Sequence, residues 1–465
     1  MFGKEVYAQR RKRLCEKVKN GIILLPGNEL APMSYADNAF DFRQDSTFLY
    51  YFGLDIPSLT GVVDAETGEA MLFGNDTGID DWIWTGPVPA LRELAGQVAV
   101  TATSPLAALA DTVSAALKAG RTVHYLPPYR AETTIQISDL LGIPTGAVFA
   151  NKSIDLMFAV AEMRETKEEC ELEELRKAFD IGYEMHTTAM KMCRPGVREN
   201  EITGRINALP KYMGGWGLSF PSIVTQHGET LHNSPTTDLL ESGKLLLVDA
   251  GGERASHYCS DHTRTYPVNG RFTDRQRDIY NIVLKAHDAV PSLLVPGMKY
   301  SDLNRAANLI LAEGLREAGL IKCSAEDAVS AGVMFGLFMP HGLSHGMGLD
   351  VHDFQAIGER SFSYEMFVER AEQSGTCAHR ATWRLNEGTV LSNEPGIYFI
   401  PALIDKVRAE GRFDGLVDFD KLEGYKDFGG IRIEDDLIVT ATGCEVIGDR
   451  HIPSTVEELE AVVGK

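Results

Sequence analysis

Four carboxylates and a handful of histidines stand where strands end or bend, the places where a fold can bring distant residues to one point. Asp249 closes the apolar run KLLLVDAGG, and Asp261, twelve positions on, opens DHTRTYPV. Two short strands joined by a turn would set both carboxylates on facing positions of one hairpin. In GGIRIEDD, period-two alternation places Arg432 and Glu434 on one face and Ile431 and Ile433 on the other. The isoleucines then face a core, and Arg432 and Glu434 face something polar and enclosed. Glu394 directly precedes Pro395-Gly396, where a strand must bend; HGLSHGMGLDVHD offers His341, His345 and His352, and His232 stands in ETLHN ahead of Asp249. Singly, each has an ordinary reading as a turn residue, a salt-bridge partner or a packed histidine. As a set they have a chemistry. Adjacent buried carboxylates repel, and each is driven to protonate unless a cation lies between them. Four carboxylates with one imidazole balance two divalent cations. Hard oxygen donors favour manganese-like ions over the thiolate-rich sites of structural zinc, although zinc, cobalt or iron could occupy the same set. Two such ions can bind a hydroxide as nucleophile and polarise a carbonyl.

The composition suits a soluble enzyme that could carry such a centre. The chain has 465 residues, 44% hydrophobic and 24% charged, with 45 Lys+Arg against 66 Asp+Glu and a formal charge of −21. Two large domains or three smaller ones fit that length. The negative charge opposes phosphate backbones and anionic lipid, so nucleic acid and the membrane surface are excluded as general partners. The seven cysteines are scattered with no CxxC pair, which fits a reducing, cytoplasmic setting and argues against a thiolate metal site. The opening MFGKEVYAQRRKRLCEKV lacks the apolar core of a secretion signal, and its cluster Arg10 to Arg13 reads as a solvated helix face. No run of about 18 apolar residues is present to span a membrane.

The elements that must position the chemistry follow from periodicity. GIILLPG (21–27) reads as a buried strand, TGVVDAETGEAMLFG (60–74) as a hairpin turning at Gly68, and SPLAALADTVSAALKAG (104–120) as an amphipathic helix capped by Ser104 and stopped at Gly120. The helix-rich stretch 151–200 marks a domain boundary carried by a helix. Beyond it, strands are expected at 244–252, 262–268, 388–400 and 430–440. Helices are expected at 273–290 and 301–319, capped by Thr273 and Ser301 and stopped at Gly319. The class is α/β (α+β), with a small N-terminal α/β domain at 1–160 and a larger catalytic domain at 161–465.

The ordered set VDAGGE (248–253), DHTRT (261–265), HGLSHGMGLDVHD (341–353), NEPGIY (393–398) and GGIRIEDD (429–436) resembles the metal-dependent aminopeptidase P/prolidase family. FRQDS (42–46) is similar to the N-terminal domain of those enzymes, so the resemblance covers nearly the whole chain. It implies metal ligands Asp249, Asp261, His345, Glu394 and Glu434, with Asp261 and Glu434 bridging two metals. It implies that a metal-bridging hydroxide attacks the substrate and that Glu394 handles the proton of that nucleophile. His232 and His352 would contact substrate and stabilise the tetrahedral intermediate, His341 would be a further active-site histidine, and Arg432 would steady the bridging carboxylates. The implied catalytic fold is the pita-bread fold, two similar αβ halves around the metals. The resemblance further implies homodimers, with Trp82 or Trp84 of the small domain approaching the partner's pocket. Three positions depart from the family pattern: Asn233 where relatives have Tyr, His262 where Ile or Val is usual, and Gln355 where relatives tend to have Gly.

Both branches of the family cut an Xaa-Pro bond in small proline-containing peptides. A dipeptidase must bind a free carboxylate after the proline, and an arginine fork is the natural receptor. Arg380, fourteen residues before Glu394, stands where prolidases carry that arginine, and Arg384 is close enough to be the true partner. The long connection from Glu394 to Glu434 and the ending IPSTVEELEA also look like prolidases. The reading is therefore Xaa-Pro dipeptidase, with aminopeptidase P as the alternative and a non-catalytic peptide-binding module of the same fold behind both.

Overall fold

The structure is a computed structural model that describes residues 2–353, 355–357 and 384–465. The described residues form two compact units. The first runs to Arg164 and includes 355–357, and the second begins at Glu165.

In the first unit, β1 (Ile22–Pro26), β2 (Thr60–Asp64), β3 (Ala70–Phe73), β4 (Ala102–Ser104) and β5 (Val123–His124) form one sheet in the order β4-β3-β2-β1-β5. The β2–β3 hairpin turns at Gly68, whose φ of 77° is the left-handed conformation a glycine adopts without strain. Leu24, Val62 and Phe73 of the sheet pack with Leu109, Val113, Ala116 and Ile137 from two covering helices. FRQDS is a connector rather than a chemical site. Gln44 accepts hydrogen bonds from the amides of Asn28 and Asp45, and Asp45 caps the short helix Ser46–Phe52 by accepting from Phe48 N at 2.8 Å.

The arginine cluster is not solvated. On α1 (Lys4–Val18), Arg10 and Arg11 are buried. Arg10 donates to Tyr50 O and lies 3.9 Å from the Tyr50 ring centroid. Arg11 donates to the carbonyls of Tyr51 (2.7 Å), Val98 (2.7 Å) and Ala99 (3.1 Å). Burial lowers its pKa to about 10, with the neighbouring Cys15 opposing. Charge on a helix signals solvent only when no chain end elsewhere offers unpaired carbonyls, and here Gly53 and Val98 end two helices beside it. Two caps also differ from expectation. Ser104 ends β4, and the helix starts at Leu109 after a short tight turn; Ser301 lies inside its helix, which Lys299 precedes. Thr273 does cap its helix, in a reciprocal pair with Gln276.

The second unit has two α/β halves. One contains α2 (Glu169–Met192), α3 (Glu199–Asn207) and a sheet of β6 (Ile223–Thr225), β7 (Leu245–Ala250) and β8 (His262–Pro267), with β7 central. The other contains α4 (Asp274–Leu293), α5 (Tyr300–Glu317) and β9 (Val390–Asn393) paired with β11 (Asp435–Val439). A two-stranded ladder, Gly396–Tyr398 against β10 (Gly430–Arg432), lies between. The halves are stitched where Thr263 and Glu434 exchange backbone hydrogen bonds. Among the described residues no helix is long and apolar enough to cross a membrane.

Arg11→Met leaves two buried carbonyls and one half-buried carbonyl without their donor and should cost about 2–4 kcal/mol, read as a lower denaturation midpoint, whereas Met at the exposed Lys12 should stay within about 0.5 kcal/mol of wild type.

Candidate metal centre

The β7–β8 register pairs Asp249 with Thr263 and Ala250 with His262. Asp261, two residues before Thr263, therefore shares a face with Asp249 but sits diagonally to it, not directly opposite as the spacing suggested. The offset is set by the turn at 254–258, where His257 takes a φ of 71°; nearer the site a Cβ on Gly251 would lie 1.8 Å from Ser260 O, so only glycine fits where the two strands close. The expected strand 430–440 is likewise two strands, broken at Ile433 and Glu434 where the chain crosses between sheets. Alternation survives the break: Ile431 and Ile433 are in the core, and Arg432 and Glu434 face the site. His345 arrives on a segment running along β9. Its amide donates to Ser392 Oγ at 2.9 Å, its carbonyl accepts from Ser392 N, and Glu394 N donates to Leu343 O.

These strands bring the five candidate ligands together. His345 Nε2 lies 3.4 Å from Asp261 Oδ2, 3.7 Å from Glu394 Oε1 and 4.0 Å from Glu434 Oε1. Asp261, His345 and Glu434 each offer a donor atom within 4.8 Å of the others. Arg432 ties in Asp249: Nη2 donates to Asp249 Oδ2 at 2.5 Å, Nε to Thr263 Oγ1 at 3.1 Å and Nη1 to the Tyr398 hydroxyl at 2.8 Å. Thr263 Oγ1 in turn donates to Glu434 Oε2 at 2.7 Å.

The electrostatics ask for more positive charge. Burial, then the charges of Asp261, Glu394 and Asp249, push the Glu434 carboxyl far above its ordinary value, against Arg432. Burial likewise raises Glu394 to about 7, with His345 and Arg432 opposing and the two aspartates adding to the rise. Asp249 Oδ1 is buried with no hydrogen-bond partner. An oxygen-rich donor set with one imidazole, a spare carboxylate oxygen and mutual repulsion fits divalent cations.

The ligands form one wall of a cavity of about 740 Å³, also lined by His232, His341, His352, Phe220, Pro221 and Val351. The His352 ring centroid is 4.3 Å from that of His345. His341 Nε2 is 2.9 Å from the Tyr398 hydroxyl, and its Nδ1 is 3.6 Å from Glu394 Oε2. Arg380 lies outside the described residues. Arg384 is exposed, donates to Gly297 O at 3.0 Å and does not line the cavity.

Sequence reasoning missed Thr263, Ser392 and Tyr398. All three lie on the period-two rows of named residues or motifs: Asp261 with Thr263, Ser392 with Glu394, and Tyr398 in NEPGIY. The alternation that found Arg432 beside Glu434 would have found the first two. No local signal could have found Lys167, whose fully buried ammonium pairs with Asp353 at 2.9 Å and anchors the segment after His352.

An assembly of buried carboxylates around one imidazole, at the junction of two α/β halves, defines a metallohydrolase. The sequence model of Metallopeptidase family M24 matches residues 173–441, and that of the Aminopeptidase P N-terminal domain matches residues 7–125. The chain belongs to metallopeptidase family M24. It is 31% identical to the Xaa-Pro dipeptidase of Homo sapiens over 98% of this chain and 92% of that protein. It is also 31% identical to a probable Xaa-Pro aminopeptidase of Aspergillus clavatus over 95% and 92%. Solved structures of Escherichia coli aminopeptidase P, one zinc-substituted with product and one with the inhibitor Pro-Leu, match with a TM-score of 0.80 and 28% identity, covering 99% of this chain and 98% of theirs.

One departure from the family pattern has a visible consequence. His262 is fully buried against Phe179 and His186, and neither ring nitrogen makes a hydrogen bond. Burial lowers its pKa to about 3, and burial with the Arg264 charge lowers that of His186 to about 4. Both imidazoles are neutral in the fold. Below their unfolded value the unfolded chain gains protons that the fold does not, so stability is full above about pH 6.5 and is lost as the pH falls toward 4. The denaturation midpoint should therefore drop between about pH 6.5 and about pH 5, and His186→Gln should flatten that dependence by about one proton.

Proposed function

We propose that the chain is an Xaa-Pro dipeptidase, a dimetal exopeptidase hydrolysing the bond before proline in dipeptides. The observation that carries this is the convergence of Asp249, Asp261, His345, Glu394 and Glu434 on one wall of a cavity sized for a small peptide. Dipeptidase is favoured because relatives bearing that name are 31% and 33% identical over 98% of this chain, against 29% for relatives named aminopeptidase that cover as much of it. Release of the N-terminal residue from longer Xaa-Pro peptides is the second reading, favoured by the fold match to aminopeptidase P.

Asp249, Asp261, His345, Glu394 and Glu434 would hold the cations, for which manganese is our choice on the hardness of the donors. When bound, the cations would supply an acidified water and polarise the scissile carbonyl. The chain's own work is positional and protonic. Glu394 would carry a proton from the attacking water to the departing proline nitrogen, with His341 beside it. His232 and His352 face the same cavity and would donate to the developing oxyanion or to substrate carbonyls. Arg432 holds Asp249 and, through Thr263, the carboxylate of Glu434. Arg380 would bind the proline carboxylate.

A cytosolic homodimer is the setting we infer. The scattered cysteines support the compartment. The helix Ile79–Thr85 supports the dimer, for it buries none of its residues and exposes Ile83 at 70% and Trp84 at 87%. Trp82 is tied to its own loop through Thr77, which leaves Trp84 to reach a second copy.

Dialysed protein resupplied with manganese should cleave Ala-Pro and leave Ala-Pro-Ala intact; equal or better cleavage of the tripeptide would move the assignment to aminopeptidase P. Asp261→Asn should lower both bound metal and kcat/KM by more than the about 10–100-fold typical of residues that merely support a ligand. An Asp261→Asn protein with full metal content and full activity would sink the dimetal reading.

A further inference from the structure

We propose that Glu199 is the positioning residue for His232, acting through the loop that carries it; this rests on the reading above that His232 faces substrate. His232 lies on the segment 226–236 that leaves β6 and faces the cavity, so the position of that loop sets where its ring can reach. Glu199, the first residue of α3, is 1% exposed. Its Oε1 accepts from Gln226 N at 2.7 Å, and its Oε2 accepts from Thr236 N and Thr236 Oγ1, both at 2.9 Å. One carboxylate thus clasps both ends of the His232 loop.

The charge has no other evident use. No basic side chain reaches this carboxylate among the described residues; its carboxylate partners are loop donors. A buried carboxylate without a cation is tolerated only when donors satisfy it, and here three do, with the positive end of α3 adding to them. Glutamine could not substitute, because its amide would turn an N–H toward a loop N–H. The clasped segment is also seated on the metal-bearing ladder. A Cβ on Gly228 would lie 2.6 Å from Gly430 O, and one on Gly430 would lie 2.4 Å from Gly228 O, so the two backbones touch two residues from Arg432. Asn233, beside His232, donates to Thr225 Oγ1 at 2.8 Å and fixes the loop to the end of β6. Glu199 joins the two ends with a single carboxylate, removing freedom of the chain between them, while the Gln226 side chain ties the first end to Leu239 O and Glu241 N just beyond the second.

The test uses the metal-loaded enzyme on Ala-Pro. Glu199→Gln should lower kcat about tenfold or more with bound metal unchanged. It should also speed amide hydrogen exchange in 227–236 without speeding it in β7. In a His232→Ala background the same substitution should cost less than about twofold, because the group it positions is gone. Thr236→Val, which removes only the hydroxyl donor, should shift the same readouts less. Equal losses in both backgrounds, lost metal, or unchanged kcat and exchange in folded Glu199→Gln would overturn the proposal. If Glu199→Gln does not fold, Thr236→Val must show the same non-additivity with His232→Ala or the proposal fails. An enzyme inert on Xaa-Pro peptides would instead count against the functional reading, and the exchange data would still decide whether Glu199 holds the loop.

Discussion

The second unit is organised around the repulsion of four carboxylates held in one nearly dry place. At about 4 Å and an effective dielectric near 20, each pair of like charges costs about 4 kcal/mol, several times the about 1 kcal/mol net of a hydrogen bond. Hydrogen bonds alone therefore cannot hold Asp249, Asp261, Glu394 and Glu434 together as anions. Arg432 supplies one positive charge, to Asp249 at 2.5 Å and to Glu434 at 4.0 Å and through Thr263, and His345 contributes one imidazole. The remaining imbalance is what divalent cations relieve, and the upward pressure on Glu434 and Glu394 is the same fact seen without them.

Neighbouring residues show how strongly position decides. Glu434 and Asp435 are adjacent, yet their carboxyls are pushed in opposite directions. Asp435 is buried too, but Arg264 Nη2 donates to both of its oxygens at 2.8 and 3.1 Å and His287 Nε2 stands 3.1 Å away, so it is held far below its usual range. The same Arg264 donates to the Glu434 carbonyl at 2.7 Å. One side of the strand is neutralised permanently, and the backbone it fixes presents Glu434 to the other side, where charge is left open. A strand with period-two alternation is the element that can face two opposite electrostatic environments with successive residues.

This explains which parts of the protein were legible in its sequence. The clustering of the five candidate ligands was readable because they lie on or beside β-ladders, where alternation fixes a side chain's face within a few residues. IRIE places Arg432 and Glu434 together, and alternation along the β7–β8 hairpin brings Asp261 to the face of Asp249. Failures came where partners are remote. Arg10 and Arg11 read as solvated because the carbonyls of Tyr51 and Val98 that receive Arg11 are 40 and 87 positions away. Lys167 meets Asp353 across 186 positions. The Asp249–Asp261 pairing was off by a diagonal because facing and diagonal neighbours share one face, and only the turn at 254–258 tells them apart.

The same contrast separates the metal centre from substrate selection. The ligands sit on or beside ladder strands, so their geometry is fixed by backbone pairing before any cation binds. The groups that would touch peptide are carried differently: His232 on a clasped loop and His352 on a segment anchored by a buried ion pair. Loops can be exchanged without disturbing the ladder, whereas shifting the ladder by one residue would turn every ligand to the wrong face. A family built this way keeps its metals while varying the peptides it accepts. Glu199 and Lys167 are the tertiary anchors here, one clasping the loop of His232 and the other the segment after His352, so residues outside the cavity lining help to fix what lines it.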